Sequence, residues 1–167
     1  MKFLNGFNEA VNRVLEKVLI VGFAAMTVII FLQIIFRYVF AASLSWSEEM
    51  ARYLFVWLTF LGASVVARSR SHITVDAIIE AIKPERVRKS MKTLADVLVL
   101  AFLYVLLSEG FVASFEILDL EQISPSMPWL SLGWIYFAIP LGSLFMALNI
   151  LQQILDRWRG QEIKGGH

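Results

Sequence analysis

The sequence predicts an all-α integral membrane protein, built as one membrane domain over residues 1–167. We expect four transmembrane helices, amphipathic arm helices that lie in the membrane interface, and both termini in the cytoplasm. Of the 167 residues, 58% are hydrophobic, and the mean hydropathy is +0.68. Soluble domains are about 45–50% apolar, so this composition indicates an apolar solvent. In addition, apolar runs of spanning length recur along the chain, and the segments that connect these runs differ in their numbers of basic residues.

Charge-free runs locate the first two spans, because a spanning helix needs about 20 mostly apolar residues. Residues 18–36 carry no charge and predict a helix over about 16–38. This run exceeds the roughly 7–15 apolar residues of a secretory signal core, so we interpret it as a retained helix. Residues 53–67 form the second run, which predicts a helix over about 50–68 because the flanking arginines can reach the interfaces.

The third and fourth spans are located in the same way. Residues 97–108 are uncharged and strongly apolar, and their helical pattern predicts a helix over about 93–115. Pro125 and Pro128 break the start of the next uncharged segment and predict a loop there. The remainder of that segment predicts the fourth helix, over about 133–155.

The basic residues predict the orientation. Of the 15 lysines and arginines, only Arg37 and Arg52 flank the first connection, none lies in the third, and the rest lie in the second connection or the terminal segments. Cytoplasmic segments are enriched in lysine and arginine, so the termini and the second connection are predicted to be cytoplasmic. Residues 3–15 and 73–82 repeat apolar residues at helical spacing, which predicts the two interface-lying amphipathic helices.

The composition argues against several classes of function. The net charge is +1 and no basic face is interleaved with aromatic residues, so nucleic acid is not an expected partner. The chain has no cysteine and two histidines, which leaves no thiolate chemistry and few ligands for a metal or a haem. No nucleophile–base pair or phosphate-binding loop is evident. We therefore expect no enzyme activity and no cofactor.

The stretch SWSEEMARYLFVW carries the densest group of polar residues. Ser45 and Glu48 fit a capping box at a helix start, and Glu48 with Arg52 forms an i,i+4 pair in the favourable order. Trp46 suits the headgroup layer. Adjacent carboxylates point about 100° apart on a helix, so Glu48 and Glu49 are poorly placed for a shared acid–base site. We interpret the stretch as an anchored helix entrance or a contact with a protein partner.

Carboxylates within the third helix are a second group of candidates, because ionisable residues inside a membrane are often functional. Glu109 lies roughly 7 Å below the predicted outer edge, and it shares a helix face with Glu116. An alternative function is therefore a small ion- or proton-coupled carrier or channel that acts as a homo-oligomer through Glu109 and Glu116. The candidate contacts to a protein partner are Glu48, Glu49, Glu116, Asp119 and Glu121.

Small residues recur every four positions in the second and fourth helices, and such faces let helix backbones approach closely. We expect either tight packing within the chain or docking of another membrane protein. Pro140 is expected to kink the fourth helix, but the pair of broken helices that forms a transporter's midplane site is not evident. The small residues are Thr59, Gly62, Ala63 and Ala67 in the second helix, and Ala138, Gly142, Ser143 and Ala147 in the fourth.

The stretch RYVF…SLSWSEEMARYLFVWLTFLGASVVARSRSHITVD resembles the small membrane subunit, of the Q or DctQ type, of tripartite ATP-independent periplasmic (TRAP) transporters. The proline-containing outer loop and the aromatic-rich start of the fourth helix also match, so the resemblance covers nearly the whole chain. The residues that carry it include Arg37, Trp46, Glu48, Glu49, Arg52, Trp57, Gly62, Arg68, His72 and Asp76.

The resemblance implies a non-catalytic subunit in a bacterial inner membrane, with no substrate-binding residues of its own. In that family a periplasmic substrate-binding protein delivers an organic acid, such as sialic acid or a C4-dicarboxylate, to a large membrane subunit. That subunit moves the acid by an elevator motion driven by a sodium gradient. The small subunit forms a heterodimer with it, anchors it among the membrane lipids and helps dock the binding protein.

Overall fold

The computed structural model describes residues 2–68 and 84–158. Within these ranges the chain is helical, and the extended pairing consists of an isolated bridge between Ile123 and Ser131. The predicted all-α class is therefore confirmed for this part of the chain. The helices in chain order are α1 (Lys2–Tyr38), α2 (Ser45–Arg68), α3 (Glu85–Asp119), α4 (Gly133–Tyr136) and α5 (Ala138–Trp158).

Four helical segments of the described chain are long and apolar enough to cross a membrane, judged by length and composition. They overlap the four predicted spans, although three of the helices are longer than predicted. α2 begins at Ser45 rather than near residue 50. α1 begins at Lys2 rather than near residue 16, and α3 covers Glu85–Asp119 rather than about 93–115. The candidate spans are Asn8–Tyr38, Ser45–Arg68, Ser90–Asp119 and Gly133–Leu155.

The N-terminal amphipathic segment is continuous with the first helix. α1 runs without a break through residues 3–15 into the span, since no proline interrupts the helical hydrogen bonds there. Asn12 and Leu15, on this segment, are buried at 1% and 8% exposure. The second amphipathic segment, residues 73–82, lies outside the described residues, as do His72 and Asp76.

The long helices form a row, in which α1 packs along α2, α2 along α5 and α5 along α3. Small residues permit the close approach of neighbours in this row. A Cβ atom at Gly142 of α5 would lie 2.6 Å from Cβ of Phe60 in α2, and one at Gly110 of α3 would lie 2.9 Å from Cδ of Pro140 in α5. The close approach predicted for Gly142 is thus made within the chain, between α2 and α5.

The fourth span is interrupted at Phe137, between α4 and α5. Pro140 lies one turn later and is fully buried. Proline lacks an N–H group, and its ring crowds the carbonyl four residues earlier, which is that of Tyr136. The kink expected at Pro140 therefore takes the form of a break just before it.

Candidate functional site

Glu48 and Glu49, at the beginning of α2, point in different directions. Glu48 faces solvent and pairs with Arg52, with Oε1 and Nη2 separated by 3.2 Å. These two side chains are 66% and 64% exposed, respectively. The expected i,i+4 pair is present, but exposed pairs of this kind contribute only about 0.3–0.5 kcal/mol. Trp46 is also exposed beside this entrance.

The entrance differs in one detail from the sequence expectation. α2 begins at Ser45 itself, so Ser45 lies in the first turn rather than at the capping position before it. The serine whose hydroxyl bonds to the backbone at this helix start is the buried Ser47, which donates to the carbonyl of Leu44 at 2.7 Å. Boundaries of helices read from sequence commonly shift by one residue in this way.

Glu49 binds the connection between α3 and α4 instead of solvent. Its carboxylate accepts hydrogen bonds from the hydroxyl of Ser124, from the hydroxyl of Ser126 at 2.9 Å and from the amide N–H of Ser126 at 3.4 Å. The hydroxyl of Tyr53 donates to the same carboxylate at 3.2 Å. We call Glu49, Tyr53, Ser124 and Ser126 the Glu49 cluster.

The connection held by the Glu49 cluster is a compact, internally bonded loop. α3 ends in a Schellman motif, since the amide of Glu121 donates to the carbonyl of Leu118 and that of Gln122 to the carbonyl of Ile117. Beyond it, Ser124 and Leu132 donate backbone hydrogen bonds across the loop, to the carbonyls of Leu130 and Gln122, respectively. Met127 at the tip is buried at 3% exposure. Glu49 therefore fastens an ordered loop to the beginning of α2.

A second polar cluster lies at the other end of α2. Asn12 of α1 and Asn149 of α5 are both buried, and the Nδ2 group of Asn12 donates to Oδ1 of Asn149 at 3.0 Å. The Nδ2 group of Asn149 donates back to Oδ1 of Asn12 at 3.3 Å and also to the carbonyl of Ser64 in α2 at 2.8 Å. Three helices are thus joined by one pair of amides.

Further amides extend this cluster toward the ends of α2 and α5. Asn8 donates from its amide to Oε1 of Gln152, and Asn12 donates to the backbone carbonyl of Asn8 at 2.8 Å. Gln153 donates to the carbonyl of Ala67 at 2.5 Å. The last carbonyls of a helix have no partner within it, so Gln153 satisfies one of these groups in α2. We call Asn8, Asn12, Asn149, Gln152 and Gln153 the amide cluster.

The amide cluster was not predicted from the sequence, although a signal for it exists. Charge-free runs indicate the spans, and an uncharged amide does not interrupt such a run. Asn12 and Asn149 nevertheless stand on apolar helix faces, where an amide needs a hydrogen-bonding partner.

The other predicted residues remain apart from both clusters. Arg37 and Arg68 are exposed in the last turns of α1 and α2, and Trp57 and Gly62 are half-buried in α2. In the described ranges, no group of three or more His, Cys, Asp or Glu side chains could hold a metal ion. The acidic residues exposed on α3 and just beyond it are Glu109, Glu116, Asp119 and Glu121.

Comparison with known proteins gives consistent matches. The family model described as the DctQ component of tripartite ATP-independent periplasmic transporters matches residues 26–160. The chain is 24% identical to the sialic acid TRAP transporter small permease protein SiaQ of Vibrio cholerae, over 92% of this chain and 86% of that protein. It is 29% identical to the C4-dicarboxylate TRAP transporter small permease protein DctQ of the same species, over 83% of this chain and 68% of that one.

A longer relative is also similar. The sialic acid TRAP transporter permease protein SiaT of Haemophilus influenzae is 32% identical over 91% of this chain. The match covers 23% of SiaT, so the chain spans about a quarter of that protein's length. These relatives are transport proteins, and the matches indicate no catalytic family.

Proposed function

The chain belongs to the DctQ family of TRAP transporter small permease subunits, and we propose that it is the non-catalytic stator of a sodium-coupled organic-acid importer. It forms a heterodimer with a large membrane subunit, which carries out transport by an elevator motion. The match to one segment of the longer SiaT supports this pairing, because there a similar sequence is part of a much larger permease.

The observation that carries the proposal is the use of polar side chains to join distant segments of the chain. Glu49 fastens the outer loop to α2, and Asn149 joins α1, α2 and α5. Interhelical hydrogen bonds of this kind stabilise membrane proteins by roughly 0.6 kcal/mol each, with a maximum near 1.7 kcal/mol. These hydrogen bonds lie near opposite ends of α2, so the helices are held together on both sides of the membrane. Such a row resists tilting, and a moving transport domain needs a neighbour that does not tilt.

The orientation follows from the distribution of basic residues. In our proposal both termini and the second connection face the cytoplasm of a bacterial inner membrane, and the Glu49 cluster faces the periplasm. α1 and α3 begin before their predicted spans, and these first turns lie on the cytoplasmic side of the membrane. The whole chain, residues 1–167, forms a single membrane domain.

The periplasmic face offers groups for a substrate-binding protein. Trp129 and Trp134 are 75% and 60% exposed, and exposed aromatic residues are common anchors in protein interfaces. Glu121 is exposed nearby in the sequence and supplies charge for steering. The imported acid is of the sialic acid or C4-dicarboxylate type, and its binding residues lie in other chains.

Reconstitution of transport tests the proposal. The large subunit and the binding protein are placed in liposomes with an inward sodium gradient, with or without this chain, and uptake of sialic acid and of a C4-dicarboxylate is measured. We expect uptake only when this chain is present, and none from this chain alone. Full uptake without it would contradict the stator role. Uptake by the chain alone, lost in Glu109→Gln, would instead support the homo-oligomeric carrier.

A further inference from the structure

α3 has two opposite faces with different surroundings. Leu103, Gly110 and Ser114 are buried on the side that packs against α5. At about 100° per residue, the opposite side is occupied by exposed residues that follow one another at intervals of three and four. We call them the carboxylate face: Val87, Met91, Leu94, Leu98, Phe102, Val105, Glu109, Val112, Glu116 and Asp119.

The carboxylate face is apolar for most of its length, but one carboxylate, that of Glu109, lies well inside it. Glu109 precedes Glu116 by seven residues, so it lies about 10 Å deeper along the helix axis. Its carboxylate is exposed, and among the described residues no hydrogen bond or ion pair to it is found. Carboxylates at such depth are costly in hydrocarbon, and they usually face protein or a water-filled cavity.

α1, at the other outside position of the row, provides a contrast. Between Val18 and Phe36 it carries no ionisable residue, and its exposed side chains there are mostly apolar. α1 is therefore compatible with direct exposure to lipid along its span. Of the two outer helices, α3 is the one whose exposed face needs a protein partner.

We propose that the carboxylate face of α3 is the docking surface for a transmembrane helix of the large subunit, and that this helix carries a basic side chain at the depth of Glu109. The inference rests on the proposed function, since it names where the large subunit binds. The alternation of three- and four-residue intervals is the spacing of side chains that interlock with a neighbouring helix. The acidic groups supply the charge complementarity that selects a basic partner.

Cross-linking from single cysteines tests whether the carboxylate face contacts the large subunit. Single cysteines can be introduced directly, because the chain has no cysteine of its own. Val105→Cys and Val112→Cys lie on the carboxylate face, and Val21→Cys and Val28→Cys are matched controls on α1. The four valines are 52%, 60%, 67% and 56% exposed, respectively. Each variant is expressed with the large subunit, labelled in membranes with a photoreactive maleimide, illuminated and analysed by immunoblotting, with the cysteine-free chain as background.

We expect the α3 positions to cross-link to the large subunit and the α1 positions to remain at background. Stronger cross-linking from α1 would overturn the placement, and so would a product at twice this chain's mass, because a second copy would then occupy the face. Absence of the large subunit after affinity purification of the wild-type chain would overturn both the placement and the proposed function. Co-purification combined with cross-links from α1 alone would overturn only the placement.

Charge reversal tests whether Glu109 faces a basic side chain of the large subunit. Glu109→Lys should lower recovery of the large subunit by at least about tenfold, whereas Glu16→Lys, an equal charge change at an exposed site on α1, should not change it. Glu109→Gln keeps the size of the side chain and should give an intermediate loss. Undiminished recovery with Glu109→Lys would overturn the requirement for a basic partner, provided that the variant reaches the membrane at wild-type level.

Discussion

Asn12 of α1 and Asn149 of α5 form a reciprocal amide pair, in which each side chain donates to the other, at 3.0 and 3.3 Å. The two residues are separated by 137 positions in the chain and are 1% and 2% exposed. Asn149 uses its second N–H group on the carbonyl of Ser64. One residue of α5 thereby connects the first two helices of the row, which are neighbours of each other.

Replacing Asn149 should therefore destabilise the helix row. Asn149→Leu leaves the buried Asn12 and the carbonyl of Ser64 without this partner, and an unsatisfied buried polar group costs about 1–3 kcal/mol. We expect a loss of about 1–2 kcal/mol in unfolding free energy in detergent. Thr27→Ala is the control, since the exposed Thr27 donates its hydrogen bond to the carbonyl of Phe23 on its own helix.

A double-mutant cycle separates the pair from general packing. Asn12→Leu and Asn149→Leu should each destabilise the protein, and the double variant should lose less than the sum, because no lone amide remains. The coupling energy should be roughly 0.5–1.5 kcal/mol. If the two losses of unfolding free energy were strictly additive, the two amides would not interact in the folded protein.

Glu49 should hold the outer loop, and Glu48 should not. Glu49→Gln removes the charge that accepts hydrogen bonds from Ser124 and Ser126, so the loop should open more often. Met127, buried at the tip, provides the probe, since maleimide labelling of Met127→Cys reports opening in a chain with no other cysteine.

Labelling at that position should be about three- to tenfold faster with Glu49→Gln, because the locally opened loop is then populated more often. Glu48→Gln is the matched control, because Glu48 pairs with the exposed Arg52 of its own helix and not with the loop. The same acceleration in both variants would contradict a specific role for Glu49 and indicate a general effect of charge at this helix entrance.

The charge-free runs were sufficient to predict the four spans, because hydrophobic length is a property of the chain itself. The direction of Glu49 was not predictable in the same way. Its neighbour was correctly expected to point about 100° away, but which of the two faces the protein depends on a loop more than 70 residues later. The partners of Asn149 are not predictable for the same reason, since they come from distant helices.

The end of α3 carries a strained residue whose relief should stabilise the protein. Glu121 has a φ of 49° at the position of the Schellman motif that normally takes glycine. Glu121→Gly should raise the unfolding free energy by about 0.5–1 kcal/mol, because glycine adopts this conformation without a steric penalty. Asp119→Gly, inside the last turn of α3, should lower it by a similar amount, and thermal unfolding in detergent measures both.

The neighbours of α2 predict opposite results for two glycine substitutions, one in α5 and one in α2 itself. At Gly142, a Cβ would lie 2.8 Å from the carbonyl oxygen and 2.9 Å from the carbonyl carbon of Phe60. Backbone atoms of a packed helix cannot move aside as a side chain can, so Gly142→Ala must separate α5 from α2. At Gly62, the nearest contact of a Cβ would be Cδ2 of Leu19, at an ordinary 3.8 Å.

We therefore expect Gly142→Ala to cost about 1–3 kcal/mol, the usual range for overpacking, and to reduce uptake of substrate by the assembled transporter. Gly62→Ala should be neutral or stabilise α2 by up to about 1 kcal/mol, the difference in helix propensity. Thermal unfolding of the purified chain and uptake in liposomes measure the two effects. If Gly62→Ala impaired uptake without lowering stability, Gly62 would lie against the large subunit, and the small residues of α2 would belong to the docking surface.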